Sequence, residues 1–536
     1  MNFNFSNAYT STRLPVFARN VVSTSHPLGA QAGLRMMLKG GNAVDAAIAA
    51  AAAMAILEPV SNGLGSDAFC ILWDGKELHG LNASGPAPQS WTPDYFRRKY
   101  GVEAQKPPTR GMDSVSVPGA VAGWVALSER FGKLPFADLM QPAIEIAERG
   151  YAVPVVVQQK WAAAMPELQS QPGFADAFLP WGRAPRVGEL FQFKAAARAL
   201  RAIAESKGAA YYCGPIAQAI EKFSSQNGGS LRARDFENYK PEWVKPIAQD
   251  YRGYTLHEIP PNGQGIAALI ALGILDQFDV AGLAVDSVDS QHLQIEAMKL
   301  AFADVYKYVA EPAFMDVTPE QMLDSAYLAG RAKLIDMKKA QDFGAGNPVK
   351  GGTIYLTAAD ENGMMVSFIQ SNYMGFGSGC VEPEFGISLQ NRGVGFSLQA
   401  GANQVAPGKR PFHTIIPAFL TQGGEPVMSF GVMGGNMQPQ GHVQTLVRML
   451  DYGQNPQAAC DASRWRYNAG LEINVEAAMN PLTVQGLADR GHRMEVINDS
   501  YQDFGAGQFI WRTGDPKTQG YVAASDARRD GQAAGF

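Results

Sequence analysis

Residues 353–360 and 364–371 alternate apolar with small or polar side chains, a period of two that predicts a pair of strands. Glu361-Asn362-Gly363 supplies the turn between them, and a regular three-residue loop there sets Ser371 opposite Thr353. Elsewhere the period lengthens. Residues 28–39 and 43–57 read as helices, the second capped by Asn42 after the Gly40-Gly41 break. Residues 69–73 and 77–81 read as strands about an Asp74-Gly75 turn. The stretch 119–310 reads as mainly helical, with breaks at Pro241, Pro246 and Pro260-Pro261 and an apolar face of period 3.6 over 292–305. Beyond Thr353 strands dominate, and helices are expected near 444–452 and 481–490. This mixture of helices and antiparallel hairpins favours a layered α+β domain over a doubly wound sheet.

With 46% hydrophobic and 18% charged residues in 536, the chain can bury a large core and is not disordered. A net charge of −5 without a basic stripe argues against a nucleic-acid partner. The apolar run Ala43–Leu57 is shorter than the roughly 20 residues a membrane span needs, and it carries Asp45, so no membrane partner is expected. The first residues have neither a basic region nor an apolar one of the secretory kind, which leads us to expect a cytoplasmic protein. Cys70, Cys213, Cys380 and Cys460 form no Cys-x-x-Cys pair, and Cys380 has no neighbouring His or Asn to activate it. The seven histidines lack a His-x-x-x-His or His-Glu pair, so no metal is expected. Gly63-Leu-Gly-Ser-Asp-Ala68 matches a dinucleotide fingerprint, yet a helix precedes it and a strand follows, the reverse of what that fingerprint needs.

Gly351-Gly352-Thr353 opens the first hairpin strand. By itself this is an ordinary turn. Cut between Gly352 and Thr353, it would give a threonine whose own α-amine, with a pKa of roughly 7.7–8, serves as base to its hydroxyl. Five further segments give this step its weight: Gly40-Gly-Asn-Ala-Val-Asp-Ala-Ala47, Ser116-Val-Pro-Gly-Ala-Val-Ala-Gly123, Lys409-Arg-Pro411, Gly431-Val-Met-Gly-Gly435 and Ser525-Asp-Ala-Arg-Arg-Asp-Gly531. In order and spacing, from about residue 20 onward, the chain resembles the γ-glutamyltranspeptidase family.

The resemblance implies an N-terminal-nucleophile hydrolase, a four-layer αββα sandwich whose precursor cuts itself. Fragments 1–352 and 353–536 would stay together as a heterodimer, with further dimerisation open. It also implies no cofactor, an oxyanion site at Gly434 and Gly435, and a hydrogen bond from Ser371 to the nucleophile. Specificity departs from the γ-glutamyl pattern. Ser84 stands where the family has an arginine for the substrate's α-carboxylate, and Gly395 where it has an acid for the α-amine. Tyr373 and His413 replace smaller residues, while Thr414 keeps a hydroxyl. Arg392 is a new cation whose fork suits a carboxylate. A short acyl group with a carboxylate and no amine follows as the expected substrate. Oxamate ranks first, as in an amidohydrolase branch similar to this chain, glutaryl amides second and γ-glutamyl amides third. A transferase or an uncleaved acid-binding pseudoenzyme are the other classes.

Overall fold

The computed structural model describes residues 13–344, 352–498 and 504–536. The hairpin lies at the middle of a seven-stranded antiparallel sheet. Its order is Gln532–Gly535, Val21–Thr24, Gly352–Ala359, Met365–Tyr373, Asp67–Trp73, Leu78–Ala83, Glu242–Val244. Pairing runs from Ala359 opposite Met365 to Ile354 opposite Gln370. Asp360 and Gly363 close the three-residue loop, Gly363 at φ +94°. A second seven-stranded antiparallel sheet runs Val16–Ala18, Tyr521–Ser525, Gly507–Arg512, Glu425–Val432, Ala418–Gln422, Tyr254–Glu258, Ile247–Tyr251.

The sheets face each other across an apolar layer that includes Phe69, Tyr355, Ile369, Phe419 and Ile510. Polar residues that the strand pattern sends inward are satisfied there: Thr357 Oγ1 lies 2.6 Å from Ser429 Oγ, and Tyr355 Oη 2.7 Å from Ser367 Oγ. On the outer face of the hairpin sheet lies the helix Ala43–Leu57, with all fifteen of its residues buried beneath the helices Pro27–Leu38 and Phe136–Arg149. Its start is a capping box, in which Asn42 Oδ1 accepts from the Asp45 N–H at 3.0 Å and Asp45 Oδ2 from the Asn42 N–H at 2.9 Å. Helices Ile266–Leu275, Val288–Tyr308 and Met437–Leu446 cover the second sheet. Among the described residues no helix is long and apolar enough to cross a membrane.

Two expectations need correction. Three strands, Glu242–Val244, Ile247–Tyr251 and Tyr254–Glu258, lie within the stretch read as mainly helical. Pro241 and Pro246 lead into strands at sheet edges, and Arg252 (φ +53°) and Gly253 (φ +80°) make a two-residue hairpin turn. The helix expected near 444–452 begins earlier, at Met437, and ends in a π turn over Val447–Asp451. Its polar residues obscure the period because they are buried yet bonded: Gln438 accepts from the Ile416 N–H and Gln440 from the Tyr467 N–H.

The closing segment Ser525–Gly531 pins the sheets through a buried carboxylate. Asp526 Oδ2 accepts from Arg464 Nη2 at 2.8 Å and from the Gly507 N–H at 2.8 Å, and Oδ1 from Arg528 Nη1 at 3.1 Å. Burial alone would raise its pKa, but Arg528 and Arg464 outweigh it and hold the carboxyl well below the usual range. Asp526→Asn is therefore expected to cost about 3 kcal/mol in urea unfolding at neutral pH. A depressed folded pKa gives stability above the unfolded carboxyl pKa of about 3.9. The gap between wild type and variant should thus be full at pH 6 and shrink below about pH 4.

Candidate active site

A one-residue bulge ends the regular pairing at the head of the central strand: Gly352 pairs with Tyr373 instead of Asn372. Thr353, in the bulge, turns its hydroxyl to Ser371, at 3.2 Å. Ser371 Oγ also accepts the Tyr373 N–H at 2.7 Å, and it donates its own proton to the Gly352 carbonyl at 2.7 Å. One hydroxyl therefore contacts both the Thr353 oxygen and the carbonyl oxygen preceding it. Gly352 is confined as well, since a Cβ there would lie 3.0 Å from Val60 O and 3.2 Å from Ser61 Cα. That wall is held by Asn372 N–H to Ser61 O and Phe376 N–H to Val60 O, each 3.1 Å. Tyr373 sits at φ +76°, a left-handed conformation that is costly for a tyrosine.

Gly434 and Gly435 turn the chain between the strand Glu425–Val432 and the helix Met437–Leu446, with φ of +118° and +61°. Among the described residues their N–H groups have no acceptor. Gln264 Nε2 ties this turn to the 411–416 segment by donating to Gly435 O at 2.9 Å and Thr414 O at 2.7 Å.

Tyr373, Thr414 and Asn436, next to Gly435, line one cavity of about 200 Å³, shared with Tyr306, Gly395 and Phe412. Arg392 lies one side chain behind its wall. The guanidinium stacks on the Tyr373 ring at 4.5 Å, and Nη1 donates to Thr414 Oγ1 at 2.8 Å. Because Thr414 accepts from Arg392, its own proton is free for an acceptor in the cavity. Arg392 is 1% exposed, and among the described residues its Nε and Nη2 have no hydrogen-bond partner. Burial lowers its pKa to about 10, which leaves it charged at neutral pH.

His413 is committed elsewhere. Its Nδ1 accepts the Ile415 N–H at 3.4 Å, so Nε2 carries the proton and donates to Asp67 Oδ2 at 3.1 Å. Burial, and then the Arg392 charge, keep the ring neutral. Asp67 was missed by sequence reasoning. It opens the strand Asp67–Trp73, opposite Ser371, and its Oδ1 accepts the N–H groups of Gly119 and Gly85 at 3.0 and 3.3 Å. The available signal was an acid in the glycine turn 63–68, just before a strand that reads as buried.

Neither γ-glutamyl anchor is rebuilt. Ser84 Oγ donates to Asn82 Oδ1 at 2.7 Å, and a Cβ at Gly395 would lie 2.4 Å from Phe412 O, leaving no room for an acid. Cys380 is a buried thiol pushed up to about 12 by burial. The fold brings His292, Glu296 and His492 within 4.8 Å of one another, a grouping invisible to local spacing because 200 residues separate the two histidines. Lys299 Nζ already lies 2.7 Å from Glu296 Oε1 and 3.3 Å from His492 Nδ1, so an ammonium stands where a metal would.

Facing antiparallel sheets with a glycine–threonine step heading a central strand define the class of N-terminal-nucleophile hydrolases. Residues 29–536 match the family described as gamma-glutamyltranspeptidase, and the chain belongs to that family. It is 36% identical over 527 residues to the glutathione hydrolase-like YwrD proenzyme of Bacillus subtilis (strain 168), covering 97% of this chain and 98% of that protein. It is 33% identical to the oxamate amidohydrolase proenzyme of Klebsiella pneumoniae subsp. pneumoniae, covering 95% and 97%. Among solved structures it is similar to a cephalosporin acylase from Bacillus halodurans, with 48% identity and a TM-score of 0.95, covering 100% and 99% of the two chains. These relatives are hydrolases, and the protein is an enzyme of that kind, an amidohydrolase.

Burial raises the Asp67 pKa to about 7 despite Arg392 and the backbone N–H groups. A raised folded pKa gives stability that is present below the unfolded value of about 3.9 and lost as pH rises to the folded one. Relative to wild type, Asp67→Asn should therefore gain stability between about pH 4 and pH 7 and stay level above it. Urea unfolding across that range checks this.

Proposed function

We propose that this protein is a self-processing N-terminal-threonine amidohydrolase acting on a small amide that bears a carboxylate. The supporting observation is the Ser371 hydroxyl, which accepts from Thr353 Oγ1 and donates to Gly352 O. That donor polarises the carbonyl Thr353 must attack and stabilises the oxyanion formed there. Thr353 Oγ adds to the Gly352 carbon, its proton passes to the departing Thr353 nitrogen, and the ester hydrolyses to fragments 1–352 and 353–536. The two remain one αββα unit, because the sheet at the cut is shared between them. In the processed enzyme the Thr353 amine takes the hydroxyl proton, the hydroxyl attacks the substrate amide, and Gly434 and Gly435 receive the oxyanion. The protonated amine then returns its proton to the leaving nitrogen. No metal or cofactor takes part.

Thr414, backed by the Arg392 charge, supplies a charge-assisted donor for the substrate's carboxylate, while Tyr373 bounds the space. Oxamate, whose carboxylate adjoins the amide, is the first substrate. A glutaryl-type amide is the second reading, favoured by a cavity of about 200 Å³, roomier than an oxamyl group needs. γ-Glutamyl amides rank third, because Gly395 has no room for an amine-binding acid.

Thr353→Ala should stay a single chain on a denaturing gel and be inactive; a cleaved, active variant would sink the scheme. Ser371→Ala should slow self-cleavage by roughly 10²-fold, the scale of one lost oxyanion donor. Arg392→Ala and Thr414→Val should each raise KM for anionic amides about tenfold, as a charge-assisted bond of roughly 1.5–3 kcal/mol is lost, with little change for neutral amides. Turnover should fall with decreasing pH as the Thr353 amine protonates near its usual value of roughly 7.7–8.

A further inference from the structure

Gln264 lies in the segment that leads into the helix Ile266–Leu275, and it is fully buried. This segment pairs in parallel with residues 411–414: the His413 N–H donates to Asn262 O and the Gln264 N–H to His413 O, each at 3.0 Å. The first turn of the helix fixes it from the other side, since Gln264 O accepts the Ala267 N–H at 2.9 Å. With the backbone held, Nε2 commits both of its protons, one to Thr414 O at 2.7 Å and one to Gly435 O at 2.9 Å. Among the described residues Oε1 has no hydrogen-bond partner, an uncommon state for a buried acceptor. The amide cannot turn over to relieve it, because Oε1 would then face two carbonyl oxygens. The glycine turn is braced from its strand side as well. There His442 Nε2 accepts the Val432 N–H at 3.3 Å, and His442 Nδ1 lies 2.7 Å from Glu258 Oε1.

One amide nitrogen thus joins Thr414, the residue that the function above gives to the substrate's carboxylate, with the turn that it gives to the oxyanion. We propose that Gln264 is a positioning residue that fixes the distance between Thr414 and the oxyanion donors Gly434 and Gly435, and so sets the acyl length the enzyme hydrolyses best. This rests on the reading of the function given above and adds to it the element that measures the acyl group. Gln264 touches neither nucleophile nor substrate and acts through Thr414 and Gly435. A catalytic group misplaced by roughly 1 Å can cost about 10²-fold in rate, so a rigid strut gives a sharp length preference and a loose one a blunt preference. Self-cleavage draws on a different oxyanion donor, the Ser371 hydroxyl on Gly352 O, and does not depend on this strut.

Oxamate, malonamate, succinamate and glutaramate test it, since they lengthen by one methylene at each step and share ammonia as the leaving group. Processed wild type should prefer one length over its neighbours by roughly tenfold in kcat/KM, the scale of one methylene. Gln264→Met keeps the length of the side chain and removes both donors. It should lower kcat for the preferred amide by roughly 10²-fold, change KM less, and bring the length ratios towards one. Its self-cleavage between Gly352 and Thr353 should keep the wild-type rate. Gln264→Asn, with the amide on a shorter stem, should move kcat and the length ratios in the same direction. Unchanged kcat and length ratios in Gln264→Met, an equal slowing of its self-cleavage, or loss of self-cleavage in both variants overturns the positioning role and leaves the function reading standing. So does a processed wild type that hydrolyses the four lengths alike. Failure of processed wild type to hydrolyse any of the four overturns the function reading, and this inference with it.

Discussion

Burying a strand on both faces is the constraint behind the rest of this structure. The strands Gly352–Ala359 and Met365–Tyr373 have helices on one side and a second sheet on the other, and every residue in them is buried. Each polar group there must find its partner inside the protein, since an unpaired one costs about 1–3 kcal/mol. Ser367, Thr357, Gln370 and Ser371 all do so. The proposed cleavage junction follows from the same rule. Where the bulge breaks the ladder, the Ser371 hydroxyl takes up both Gly352 O and Thr353 Oγ1.

Buried charge is handled by a similar economy. Asp526 is surrounded by two guanidinium groups and stays ionised, whereas for Asp67, bonded to a neutral histidine and two backbone N–H groups, burial outweighs the Arg392 charge and pushes it towards protonation. Glu258 faces His442 Nδ1 at 2.7 Å between the second sheet and its covering helix Met437–Leu446, and burial drives its carboxyl up. The sign of each shift depends on whether a full positive charge lies close enough to offset desolvation. Arg392 stands apart from these groups. It is buried, charged and incompletely bonded, the state expected of a group whose partner arrives with a ligand.

In the proposed function, substrate choice is set more by what is excluded than by what is offered. A glycine at 395 pressed against Phe412 O removes the place for an amine-binding acid. Ser84 is absorbed into a network with Asn82 and Asn262, none of which carries a charge. Positive charge lies instead behind Thr414, where Arg392 Nη1 donates to its hydroxyl; in the proposed reading this is the carboxylate anchor. On the proposed reading, the family scaffold keeps its chemistry at the hairpin while its specificity shifts among loops that the chemistry does not touch.

Local pattern determined the hairpin, its three-residue loop and the apposition of residues 353 and 371, because turn length fixes register and register fixes facing pairs. It also determined the capped alanine-rich helix, the glycine turn at 434–435 and the family, since each depends on residues adjacent in sequence. Only the tertiary structure decided which polar residues are core. The glutamines of the helix Met437–Leu446 look like a loop until Ile416, Tyr467 and Trp465 supply their partners. Tertiary structure also recruited Asp67 to the site, tied up both nitrogens of His413 and set Arg392 one hydroxyl away from the cavity. Asp67 and His413 meet across 346 residues of chain and Arg392 and Thr414 across 22, and in each case the competing partners for a polar group are settled by packing and not by sequence spacing.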